Sequence, residues 1–445
     1  VRFITKKLQQ PSGLFFIAWC LTASFGTYFC MYAFRKPFNT GLYADLYLWG
    51  LGYKTILLIA QVLGYMVSKF AGIKVISELK PSQRIPLIAG LIVFSELALL
   101  GFGLVPFPYN FVFLFFNGLP LGMVWGVIFS FLEGRRFTEL LGMGLSISII
   151  AASGILKTIY FEVQGMLPFI TEFWMPFSIG LLFLPLFFLF IWMLSVIPAP
   201  SETDVLLRAE RVPMTPADKT TIIRQYGPGL LCIVLIYCLL TTMRDFRDNF
   251  SVEIWNEISG KHWHKNVLAQ TELISTVIVI VCVGSLSLIR NNIRGLRATQ
   301  ALMAGGLLLT GGSSLLFSQQ VIGPYTWMLT LGTGLFLAYI PIQMAIFERL
   351  IALFKMKANA GFFVYACDAT GYLGSVGLML YREFFMKDLR WSKVLMQFSY
   401  VLCFASLGLL LLSVIFFNRK QGILRRLQHQ QQPTPPAGLQ NITAY

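Results

Sequence analysis

Tyr28, Tyr32 and Arg35 fall at i, i+4 and i+7, the spacing that puts three side chains on one face of a helix. The stretch around them is apolar. A guanidinium at hydrocarbon depth is costly unless it faces protein, water or an anion. Arg is also the side chain best shaped to hold a phosphate or carboxylate through two parallel N–H bonds. The chemistry this pattern offers is recognition of an anion.

Similar stripes recur along the chain. Gln61, Tyr65 and Lys69 share a face, as do Ser153, Lys157 and Tyr160. Tyr237, Thr241 and Arg244 repeat the first spacing, and Asp245, Arg247 and Asp248 follow directly. Tyr339 and Gln343 flank Pro341, and Tyr365, Asp368 and Tyr372 line another face. Arg35, Lys69, Lys157 and Arg244 outnumber the deep acids Glu96 and Asp368. A cavity with excess positive charge concentrates anions, and tyrosines can donate to their oxygens or close over them.

Plainer readings exist for each residue. Arg35, Lys36 and Lys69 can snorkel to an interface. Arg244 can pair with Asp245 or Asp248, and Lys157 with Glu162. Asp368 can serve as a counter-ion to Lys157 or Arg244, and Glu96 as a packing or gating partner. The joint reading gains weight because cation and tyrosine share a face in three stretches, with a similar stripe at Arg244.

The elements that carry these residues are apolar spans. Of the 445 residues, 56% are hydrophobic and 12% charged, against about 25% charged in soluble domains. Mean hydropathy is +0.70, and 40 Phe and 38 Gly suit lipid-facing and closely packed helices. Apolar segments lie at 13–36, 53–76, 84–105, 109–132, 141–162, 173–197, 227–246, 267–289, 298–318, 324–347, 359–382 and 394–417. Each can cross about 30 Å of hydrocarbon. The expectation is an all-α membrane protein of twelve helices in two six-helix halves, residues 1–197 and 227–418. A polar linker, 198–226, joins them, and a Gln- and Pro-rich tail, 419–445, is expected to be disordered. The first apolar run is about a full span long, so a cleavable leader is not expected.

The net charge of +15 does not point to nucleic acid. Lys74, Lys80, Arg84, Arg135, Arg136, Arg290, Arg294, Arg297, Arg349, Lys355 and Lys357 lie in or beside the loops after even-numbered spans, with the linker and tail adding more. By the positive-inside rule both termini are cytoplasmic, in a plasma or inner membrane. Lys261, Lys265, Lys387 and Arg390 run against that bias. The seven Cys lie almost entirely inside apolar segments without CxxC spacing, as small buried residues do. His262 and His264 flank Trp263 with no third ligand evident, so no metal or other cofactor is expected.

At these residues the sequence resembles the organophosphate:phosphate antiporter branch of the major facilitator superfamily, the glycerol-3-phosphate transporter type. The likeness rests on Arg35-Lys36 preceded by Tyr32 and Tyr28, on Ser68-Lys69-Phe70 preceded by Tyr65, and on Arg244 with Phe250 and Ser251. Tyr339-x-Pro341 and Gly371-Tyr372-Leu373-Gly374 extend it through the second half. The resemblance implies parallel repeats with a substrate site between them near mid-membrane. It implies Arg35 and Arg244 as the primary anion clamp, one from each half, supported by Lys69, Tyr28, Tyr32, Tyr65, Tyr339 and Tyr372. The sequence departs from the pattern in two places. The family's helix 5 histidine falls at or beside Ala151, with Lys157 further along, and the signature after span 2 is degraded to Gly72-Ile-Lys74-Val-Ile-Ser-Glu78.

The expected function is a secondary transporter of a small, phosphorylated or otherwise anionic solute. Lys36 and Lys157 complete the candidate binding set, and Asp368, Glu96 and Arg247 are candidates for coupling or gating. The expected partners are the solute and the bilayer, with a monomer as the working unit. A transporter-like sensor of an external organophosphate is the alternative. An intramembrane enzyme ranks below both, because no His lies in a span and no acid–base constellation appears.

Overall fold

In hydrocarbon every backbone N–H and C=O must be bonded within the protein, so apolar spans become helices. The computed structural model of the chain describes residues 8, 13–77, 79–132, 138–198, 216–260, 263–286, 288–289, 291–358, 360–386 and 389–430. Most of the predicted linker, the end of the tail, and Arg135, Arg136, Lys261, His262, Arg290 and Lys387 lie outside the described residues. Among the described residues, twelve helices are long and apolar enough to cross a membrane. They are α1 Leu14–Ala33, α2 Tyr53–Ser77, α3 Arg84–Leu104, α4 Phe111–Leu132, α5 Thr138–Met166 and α6 Met175–Ser195. The second set is α7 Pro216–Asn249, α8 Val267–Leu286, α9 Asn292–Ser318, α10 Pro324–Phe354, α11 Ala360–Phe385 and α12 Trp391–Gln430. α7 begins before the predicted end of the linker, and α12 continues through the basic start of the predicted tail. Within α10, Pro341 has no N–H to give, and a π-helical turn follows at Ile342–Ile346.

The helix pairings repeat between the halves. α1 packs on α5 and α6 as α7 packs on α11 and α12. α4 packs on α2 and α3 as α10 packs on α8 and α9, and α3 meets α6 as α9 meets α12. The weak sequence repeat is thus a structural one. Across the halves, α2 lies against α11 and α5 against α8.

Glycines set the closest approaches. A Cβ at Gly118 would lie 2.2 Å from the Gln61 carbonyl oxygen, and one at Gly64 would lie 2.1 Å from that of Phe115. The α2–α4 contact therefore depends on both positions lacking a side chain. In the second half, Gly306 and Gly334 do the same for α9 and α10.

The lipid-facing residues include Leu182 and Phe188 on α6 and Phe404 and Leu411 on α12, all exposed. The α1–α2 connection carries a 3₁₀ turn, Pro37–Thr40, and a two-stranded hairpin pairing Tyr47–Leu48 with Leu51–Gly52. This end of the bundle is the far face. The ends of α5, α7 and α11 and the short helix Ser251–Ser259 also reach it.

Candidate functional site

α1 stops at Ala33, and the chain turns at Phe34–Lys36. The turn's carbonyls are captured from neighbouring helices. Gln61 on α2 donates to the Arg35 carbonyl at 2.9 Å, and Asn117 on α4 donates to that of Phe34 at 3.0 Å. Gln61 also donates to Asn117 at 2.7 Å. These bonds satisfy carbonyls that the helix end would orphan. They also fix the point from which Arg35 projects.

Arg35 does not snorkel, since it is only 6% exposed. Its guanidinium carbon lies 4.0 Å from the centre of the Tyr65 ring and 5.9 Å from that of Tyr32. Tyr28 and Tyr372 complete the aromatic surround, with Tyr65 and Tyr372 edge-to-face at 5.1 Å across the two halves. Among the described residues no carboxylate pairs with Arg35, and its Nε is buried without an acceptor. A ring face offsets part of the cost of burying the cation, but Nε is left without an acceptor.

Arg244 sits opposite in a different state. Its Nε and Nη2 donate to one oxygen of Asp245 at 3.0 and 2.8 Å, and its Nη1 donates to the Tyr339 hydroxyl. Ser375 on α11 donates to the second Asp245 oxygen at 2.8 Å. The two arginines that the resemblance makes equal members of a clamp are therefore not equivalent. One is unpaired by any acid and the other already holds a carboxylate.

Together they line a small cavity between the halves. Lys36, Arg247, Asp245, Asp248 and Glu272 share its wall, with Tyr32, Ser153 and the apolar Ile149, Ile150 and Phe336. Asp248 accepts from Lys36, from Ser153 and, at 2.6 Å, from Lys157. One acid thus serves two lysines, and Lys157 pairs with Asp248 rather than Glu162. Arg247 donates to Glu272 on α8 at 2.7 Å and to the Met328 carbonyl on α10 at 3.1 Å. It fits against Gly332, where a Cβ would lie 2.5 Å from the guanidinium. Counting Lys157 with the lining, the cations still exceed the acids, and the excess rests on Arg35 and on the lysine pair.

Lys69 and Asp368 meet at 2.9 Å, joining α2 to α11. Asp368 is therefore the partner of Lys69, not of Lys157 or Arg244. Tyr237 donates to its other oxygen at 2.6 Å, and the Tyr237 and Tyr339 hydroxyls lie 2.8 Å apart. A continuous polar path runs from Lys69 through Asp368, Tyr237 and Tyr339 to Arg244. Gln343 touches both tyrosine hydroxyls.

Glu96 stands apart. It is buried between α3 and α6, where a Cβ at Gly180 would be 2.1 Å from its carboxylate, and it does not line the cavity. The structure thus brings Tyr32, Arg35, Lys36, Arg244 and Arg247 to the cavity wall. It puts Tyr28, Tyr65, Tyr339, Tyr372, Lys69, Lys157 and Asp368 immediately behind or beside it. Sequence reasoning passed over Glu272, although an acid within an apolar span is itself a signal. It also passed over Asn117 and the apolar lining, which have no distinguishing spacing.

A family model described as a family of unknown function, DUF5690, matches residues 37–420. No curated protein sequence matches the chain significantly. Solved structures do resemble it. The nucleoside transporter NupG superposes with a TM-score of 0.59 at 13% identity, over 88% of this chain and 98% of that one. The peptide transporter POT, in complex with alafosfalin, gives 0.61 at 12%, over 91% and 96%. A bacterial homologue of the lysosomal transporter Spinster, inward-facing and unoccupied, gives 0.55 at 10%, over 96% and 100%. At these identities the likeness establishes the fold, the two-half arrangement of major facilitator transporters.

Proposed function

We propose that this chain, which belongs to the family of unknown function DUF5690, is a secondary transporter that moves a small organic anion by alternating access. A phosphorylated solute is the substrate class that the site's chemistry fits best. The observation that carries the reading is Arg35, a buried guanidinium with no carboxylate partner among the described residues, lining a cavity between two repeats. An anion satisfies its donors without leaving a second charge buried and unpaired. Phosphate oxygens match the guanidinium edge, and the surrounding tyrosine hydroxyls are further donors.

The halves contact each other on both sides of the cavity. Lys36 and Lys157 with Asp248, and Lys54 with Glu253 at 2.5 Å, hold the far face. Lys69 with Asp368 holds the other side. An anion bridging Arg35 and the second half favours one arrangement of these contacts over the other, and only such differential binding can drive the exchange. The distribution of Lys and Arg among the loops supports a plasma or inner membrane location with both termini cytoplasmic.

The test is a thermal-shift screen of the purified protein with inorganic phosphate, glycerol phosphate, phosphorylated sugars and carboxylates, run beside Arg35→Ala. A ligand at a hundred times its dissociation constant stabilises by about 2.7 kcal/mol. A phosphorylated ligand whose shift vanishes in Arg35→Ala supports the site, and uptake into proteoliposomes separates a transporter from a sensor. A shift that survives Arg35→Ala puts the site elsewhere.

A further inference from the structure

Adjacent residues on a helix do not face one another, yet Arg244 and Asp245 form a close pair. Tertiary contacts hold it. Asp245 sends one oxygen back to Nε and Nη2 of Arg244 and the other to Ser375 on α11 at 2.8 Å. Arg244 is steadied by the Tyr339 hydroxyl, with its guanidinium carbon 4.7 Å from that ring's centre. Each nitrogen of the guanidinium is engaged, and the Nε–Nη2 edge carries a carboxylate. Arg244, Asp245 and Arg35 line the same cavity.

From this geometry we infer that Asp245 is a built-in competitor for the substrate anion and sets its charge selectivity. The inference rests on the anion-transport reading above. In the resting site Asp245 occupies the Arg244 edge. A ligand takes two parallel bonds from that edge, as Arg35 also offers, only by displacing it; the two N–H groups left free on Nη1 and Nη2 do not provide them. A monocarboxylate exchanges one carboxylate for another at Arg244 and gains little. A phosphoryl dianion brings a second charge and a third oxygen, so it outcompetes Asp245 while still satisfying Arg35. Asp245 thus acts through Arg244 as a specificity-determining residue that favours dianionic phosphoryl groups over monocarboxylates. Ser375 sets how firmly the competitor is held.

The experiment measures binding of inorganic phosphate and of acetate by the purified full-length protein at about pH 8, where phosphate is mainly a dianion. Wild type, Asp245→Asn and Ser375→Ala are compared. Asp245→Asn is expected to bind phosphate about tenfold more tightly and to gain still more for acetate, so that the phosphate-to-acetate ratio falls. Ser375→Ala changes no charge and is expected to move the ratio the same way by a smaller factor. It carries the test if Asp245→Asn fails to fold.

An unchanged ratio in both variants overturns the inference and leaves the anion site standing. So does weaker phosphate binding in Asp245→Asn, because Asp245 then positions Arg244 rather than competing for it. If no folded form binds either anion, the anion reading itself falls and takes this inference with it. Binding by Asp245→Asn alone supports the competitor directly.

Discussion

The ammonium of Lys69 on α2 lies 2.9 Å from a carboxylate oxygen of Asp368 on α11, so one ion pair ties the two halves together beside the cavity. Both side chains are largely buried. Removing one member of such a pair leaves the other charge uncompensated, at a cost of about 3 kcal/mol or more. Lys69→Met is therefore expected to lower the melting temperature in detergent. Adding Asp368→Leu to it should restore most of the loss. A double variant no more stable than Lys69→Met would show that the pair contributes little.

On the far face, Asp248 answers two lysines at once. Asp248→Asn removes the shared charge and leaves Lys36 and Lys157 repelling each other. The far face should then spend more time open. A cysteine introduced as Ile149→Cys on the cavity wall is expected to react about tenfold faster with a membrane-impermeant thiol reagent in the Asp248→Asn background. Equal rates in both backgrounds would place the closure elsewhere.

Tyr65 presents its ring, 4.0 Å away, to Arg35. Tyr65→Phe keeps the ring and should preserve folding stability to within a few tenths of a kcal/mol. Tyr65→Leu removes it and should destabilise the protein by about 0.5–2 kcal/mol. Thermal unfolding of the two variants side by side measures the difference. Equal loss in both would assign the contribution to the hydroxyl instead.

Glycine substitutions should split by position. In a helix, Gly→Ala ordinarily stabilises by up to about 1 kcal/mol. Gly312 has open space where a Cβ would go, so Gly312→Ala should raise stability. At Gly118 the added Cβ would press on the Gln61 carbonyl at 2.2 Å. Gly118→Ala is expected to cost about 1–3 kcal/mol and to disturb the Gln61 bond that fixes the Arg35 turn. A neutral Gly118→Ala would mean that α2 and α4 separate freely.

The twelve spans are readable from residue order alone, because continuous apolar runs can satisfy the backbone in hydrocarbon only as helices. So is the six-and-six division, which the repeated helix pairings now express in space. The stripes at Arg35, Lys69, Lys157, Arg244 and Asp368 were legible because an ionisable residue within an apolar span stands out against its neighbours. Partnership was not legible. Helical spacing says which residues share a face, but ion pairs form between helices far apart in sequence, here 299 and 91 residues. Lys69 met Asp368, and Lys157 met Asp248 rather than the nearby Glu162. Arg35 and Arg244 occupy matching stripes in the two halves, yet tertiary packing gave Arg244 a carboxylate steadied by Ser375 and gave Arg35 only aromatic rings. The neighbouring Asp245 was open to reading as a partner of Arg244, but its anchoring depends on Ser375, which α11 brings to α7 and no local pattern in either helix encodes.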